Sequence, residues 1–200
     1  AGSGSGSGGG MDILGGSTKI ENSTISANTA NGAGGGIQVG LNAIVTVVNS
    51  TVSGNSAGTT GGGVHVNGST VSFASVTITE NNPSGITNGT GVVRMKNSIL
   101  GGNLGSGDCL GTLESLAYNL IQTNTCTITG DTTGNLIGIS PDLDTLGFSI
   151  GYCGFGASGP TMFHCARDYS SPILDAANPA GCTDFNGVML STDQRGPGAY

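Results

Sequence analysis

The chain has 200 residues, of which 39 are glycine, 12 acidic and 5 basic, for a net charge of −7. Its cations, Lys19, Arg94, Lys96, Arg167 and Arg195, are scattered, which argues against a nucleic-acid partner because phosphate binding needs clustered positive charge. No apolar run reaches the length of a membrane span and no signal-peptide pattern is present, so the chain reads as a mature soluble product or an excised part of a longer one.

Residues 1–15 form a Gly/Ser-rich N-terminal segment. By composition its AGSGSGSGGG start is a flexible linker; the competing expectation is a segment held by the domain's own open end or by a neighbouring subunit.

Residues 16–107 repeat. NSTISAN at Asn22 to Asn28 returns as NSTVSGN at Asn49 to Asn55, and GGGIQV at Gly34 to Val39 returns as GGGVHV at Gly61 to Val66, both after 27 residues. Fainter copies, SVTITEN from Ser75 and NSILGGN from Asn97, follow after 26 and 22. One offset shared by separate motifs means that a single structural unit has been copied, and a period of this size marks a solenoid.

Inside the unit the period is two, as strands require. Ile25, Val52, Ile78 and Leu100 form one core column, beside Thr24, Thr51, Thr77 and Ile99. Val45 lies over Val71 and Val47 over Phe73, while Ile37 and Val39 lie over Val64 and Val66, with Gln38 and His65 between them. Connections this short and glycine-rich do not allow pairing within a copy, so each strand pairs with its counterpart one turn away, about 4.8 Å along the axis. The expected fold is an all-β parallel β-helix, a solenoid of up to about eight turns at about 25 residues each. Asn28, Asn55, Asn81 and Asn103 predict an asparagine ladder at a corner, and the glycine triplets suit corners with positive φ or close backbone approach.

Residues 108–200 are expected to add C-terminal turns and a less regular, disulfide-containing cap to the same continuous domain. All five cysteines lie here. None has CxxC spacing and the chain has two histidines, so disulfides in an oxidising compartment fit better than a metal site, and no cofactor is expected. Cys109 with Cys126 closes a 17-residue loop, worth about 3 kcal/mol on the chain-entropy account. Cys153 with Cys165 is the second candidate pair, which leaves Cys182 free or available for a bond between chains.

The motifs DCLGTLESLAYNLI from Asp108, TGDTTGNLIGISPDL from Thr129, GPTMFH from Gly159, SPILDAAN from Ser171 and TDQRG from Thr192 together resemble bacterial extracellular proteins with a choice-of-anchor Q domain. The NSTxS and GGG repeats are similar to the preceding part of such proteins and to polymorphic outer-membrane, adhesin-like repeats. The resemblance covers nearly all of the chain after Gly15 and implies a right-handed coil at a bacterial cell surface. It also implies a structural role for His164. The closing GAY at Gly198 to Tyr200 is similar to the family's last segment but lacks the cysteine and acid usual there, which leaves Cys182 without the partner the family would give it.

Polysaccharide lyases and glycosidases also use this fold, but they need grouped carboxylates or a base. The repeat region offers Asp12, Glu21 and Glu80 as its only acids. His65 is expected in an outward column with Gln38 and Arg94, as a solvated histidine. Asp142 and Asp144, with Asp131, are read as turn caps before a calcium site, and Asp193 with Arg195 as a clasp on the last turn. Sequons at Asn22, Asn49, Asn67 and Asn88 arise from the repeat itself. The expectation is a non-enzymatic extracellular structural or adhesive protein, its partner a second copy stacked end to end into filaments. The alternatives are a monomeric adhesin whose Thr, Ser, Asn and Gln faces bind carbohydrate or another surface, and, more remotely, a polysaccharide-degrading enzyme.

Overall fold

The computed structural model describes residues 6–123, 125–148 and 161–194. Among these residues every regular element is a strand. The first rung carries β1 (Met11–Leu14), β2 (Ser17–Glu21), β3 (Thr24–Ser26) and β4 (Thr29–Ala30), and the second β5 (Ile37–Gly40), β6 (Ile44–Ser53) and β7 (Ser56–Ala57). The third carries β8 (Val64–Val66) and β9 (Thr70–Thr79), and the fourth β10 (Ser84–Asn88), β11 (Val92–Lys96) and β12 (Ile99–Leu100). The fifth holds β13 (Gly107–Leu110), β14 (Thr112–Leu116) and β15 (Leu120–Ile121), before β16 (Thr127–Asp131) and β17 (Leu136–Ile137).

All named strand pairs are parallel and join successive rungs, so the chain is a parallel β-solenoid. One sheet stacks β1, β5, β8, β10 and β13; a ten-stranded sheet stacks the long β6 and β9 with the strands on either side of them; β4 and β7 make a small third face. The expected registers hold: Ile25 pairs with Val52, Val52 with Ile78 and Ile78 with Leu100. Val47 pairs with Phe73, and Ile37 with Val64. Alternate side chains therefore meet in one continuous core, in which Phe73 stacks on Met95 and Leu113 on Ile128, with Phe73, Met95 and Leu113 almost wholly buried.

The glycine triplets have a steric cause. Gly34 and Gly61 adopt φ of 69° and 61°, a region open to glycine at little cost. A Cβ on Gly35 would collide with the carbonyl oxygens of Ser56 and Gly62 in the next rung. The corner thus admits no side chain at that point, whatever its chemistry.

The coil differs from expectation in two ways. It starts earlier, because Gly8 to Gly10 pair with the backbone of Ala33 to Gly36 and β1 continues that rung onto β5. Part of the glycine-serine segment is therefore the first copy of GGGIQV, written GGGMDIL, and is held by the domain's own end. The coil is also shorter than eight turns: the five strands of the first sheet span four steps, and the chain leaves the coil after β17. Turn length falls along the chain, with ladder partners separated by 27, 26, 22, 21 and finally 16 residues. A shrinking cross-section leaves no interior for further rungs.

Beyond Pro141 the chain becomes an irregular strap, tied by single bridges such as Leu143 to Ala166 and Gly147 to Phe163. It lies along the flank of the coil. Met162 O accepts a hydrogen bond from Thr24 Oγ1 in the first rung, Thr192 O accepts from Asn49 Nδ2 (2.9 Å), and Asn178 N donates to Asn97 Oδ1 (3.2 Å) in the fourth.

Candidate functional site

The predicted ladder is present, with a consistent polarity. Asn28 N and Nδ2 donate to Asn55 Oδ1 (3.0 and 2.9 Å), Asn55 donates in the same way to Asn81, and Asn81 to Asn103. The second amide hydrogen of each inner member returns to the strand before it, as Asn81 Nδ2 does to Val52 O (3.0 Å). Buried amides are tolerated because donors and acceptors are matched. At the far end the column closes on a carboxylate: Asn103 N and Nδ2 both donate to Asp108 Oδ1.

A second ladder went unread in the sequence. Ser23 N donates to Ser50 Oγ, Val76 N to Ser98 Oγ, Ser98 N to Asn119 Oδ1 and Asn119 N to Asn135 Oδ1. The serine of each NST motif was its signal. Serine is too common in this chain to stand out by composition, and asparagine replaces it in the shorter turns.

The disulfide joins Cys109 to Cys126, as expected, and welds the last strand of the first sheet to the following turn. Cys165 is also disulfide-bonded; its candidate partner, Cys153, lies outside the described residues. Cys182 is a half-buried free thiol on the strap.

His65 does not share a column with Arg94. Its column is Gln38, His65 and Thr87, and its Nδ1 donates to Gln38 Oε1 at 2.9 Å. Arg94 belongs to the other large sheet, where it pairs with Glu114 at 2.7 Å. The two columns have the same polar character, and only turn geometry separates them. Partial burial lowers the His65 pKa below its ordinary value.

The three acids weighed for a calcium site are each engaged by the chain itself. Asp131 Oδ1 accepts from Thr133 N (2.9 Å), Asp144 Oδ1 from Thr145 N (2.8 Å), and Asp142 pairs with Arg167 (3.4 Å). Among the described residues no three His, Cys, Asp or Glu side chains are grouped to hold a metal. Arg195, and with it the Asp193 clasp and the GAY terminus, lies outside the described residues; its neighbour Gln194 does clasp the coil. Gln194 Oε1 accepts from Thr51 Oγ1 (2.7 Å), and Nε2 donates to Thr24 Oγ1 (2.9 Å) and Met162 O (2.8 Å). His164 is a strut, bonded to Ser53 Oγ (2.8 Å) and Asp144 O (2.7 Å). Lys96 Nζ holds the strap through Thr183 Oγ1 and Asp184 O, and lies 4.9 Å from the centre of the Phe185 ring.

Within the threonine column, Thr51 is covered by the chain's own strap and is 1 % exposed, while Thr24 and Thr77 are half-buried. Of the four sequons, Asn22 and Asn67 are exposed, whereas Asn49 and Asn88 are buried with their amide nitrogens bonded to Thr192 O and to Gly91 O and Thr112 O.

Fold and ladders together define the class as a parallel β-solenoid bound along one flank by its own C-terminal strap. No protein-family model matches the chain, and no curated protein or solved structure matches it.

Proposed function

We propose that the chain is a non-enzymatic, extracellular structural protein of a bacterial cell surface that associates end to end with copies of itself. One observation carries this reading: the ladder amides, several acids and His164 are engaged in holding the chain to itself. The buried amides serve the ladder, Asp108 ends it, Asp131 and Asp144 cap turns, and His164 braces the strap. A disulfide-bonded core with few charges suits an oxidising compartment, and the resemblance to choice-of-anchor Q proteins points the same way. Self-association is favoured at the first rung, where β1 and β2 each have a partner on one side only among the described strands.

Negative-stain electron microscopy of the purified protein, with sedimentation over a range of concentrations, tests the assembly. Filaments or end-to-end pairs support it, and monomers throughout reject it. Turnover of any member of a polysaccharide panel would reject the non-enzymatic role.

A further inference from the structure

The two ends of the coil differ in size, and this restricts how copies can meet. Ladder partners are 27 residues apart at the first rung and 16 at the last. Stacked head to tail, a wide turn would face a narrow one, and strands of the wide turn would be left without partners. The asparagine column also stops at Asp108, a carboxylate with no proton to donate to Asn28 of a following copy. The first rung of a second copy, by contrast, matches the first rung in size.

The edge that would meet it is β2. Among the described strands β2 pairs with β6 alone, so one side of its backbone is open, and an open edge is a template for a further strand. Side chains alternate along it: Ile20 enters the core, while Lys19 and Glu21 on either side point outward and are exposed, 2.6 Å apart. An edge carrying a cation and an anion two residues apart on one face is complementary to itself. When a second β2 lies antiparallel with the two Ile20 residues opposite each other, one step back along one strand is one step forward along the other. Position 19 of each strand therefore falls opposite position 21 of its partner, and opposite charges facing each other across a strand pair stabilise it. Centring the pair on Lys19 or on Glu21 sets like charges face to face, so the charges select one register. The coil already uses this device: in the outward column that begins with Lys19, Arg94 and Glu114 face each other on neighbouring rungs at 2.7 Å.

We propose that two copies of the chain join first rung to first rung across a two-fold axis at Ile20, with β2 antiparallel to the partner copy's β2 and Lys19 of each copy meeting Glu21 of the other. The same patch serves both copies, so the assembly closes at two and does not grow. The inference rests on the end-to-end association proposed above and gives it a geometry.

Sedimentation equilibrium of the intact chain, alone and in mixtures of variants, tests it. Wild type is expected to reach a dimer and to stop there as concentration rises. Lys19→Glu sets glutamate against glutamate at both positions and Glu21→Lys sets lysine against lysine, so each variant alone should dimerise at least about tenfold more weakly. Mixed in equal amounts, the two variants oppose unlike charges at both positions and should regain the wild-type affinity; the doubly exchanged chain, Lys19→Glu with Glu21→Lys, should do so by itself. Both side chains are exposed, so the circular dichroism of each variant should match wild type. The charge of Asp184 also reaches Lys19, but a strap loosened by Lys19→Glu would not be repaired by mixing. Monomers at every concentration overturn the end-to-end reading and this inference with it. Chains that keep growing overturn the inference alone, as do dimers indifferent to charge reversal or variants that mixing does not rescue.

Discussion

Asp108 Oδ1 lies 2.9 Å from Asn103 Nδ2 and 3.0 Å from Asn103 N, taking the place that the next asparagine of the ladder would fill. A carboxylate can accept both donors but offers none onward, so it ends the column chemically. Its other oxygen accepts from Thr123 N. Asp108→Ala strands three donors at a site that is 0 % exposed, with an expected loss of about 2–4 kcal/mol in urea unfolding. Asp108→Asn keeps the Asn103 bonds, sets an NH₂ against Thr123 N–H and costs less. Equal losses in the two variants would contradict the terminator role.

Removing the Cys109 to Cys126 bond frees a loop with a sequence separation of 17. Replacing both cysteines by alanine is expected to cost about 3 kcal/mol. The loss should fall on the narrow end of the coil. Hydrogen exchange should accelerate first in β14 and β16, with β6 and β9 still protected; uniform acceleration would show that the bond stabilises the coil as a whole.

Gln194 ties the strap to two rungs at once, through Thr24 and Thr51. Gln194→Ala should lower stability by about 1–3 kcal/mol by leaving Thr51 Oγ1 buried without its acceptor. Limited proteolysis should then cut the strap between residues 161 and 194 well before the coil. If coil and strap are cut at the same rate, the two unfold as one unit.

His65 makes stability depend on pH. Burial lowers its folded pKa below the ordinary 6.5, so in the window just below 6.5 the unfolded chain binds the extra proton. This contribution is complete above pH 6.5 and is lost as pH falls through the folded value. His65→Gln, matching Gln38 one rung earlier, removes it. The stability of wild type relative to His65→Gln should therefore decline below pH 6.5, and a difference that stays constant with pH would refute the assignment.

The coil and its columns follow from the repeat spacing alone. A rung repeats every side chain above its own copy, so Ile25, Val52, Ile78 and Leu100, like Asn28, Asn55, Asn81 and Asn103, are adjacent in space because they are equivalent in the repeat. The serine ladder and the first GGG copy were also in the text, masked by the abundance of glycine and serine. The position of the non-repeating part is set by long-range contacts. Nothing periodic relates Gln194 to Thr51 or Thr192 to Asn49, contacts that span 143 residues. They form because the strap's polar groups find unpaired partners along the flank. The same docking buries Thr51, whose environment exists only once two distant stretches of chain have met.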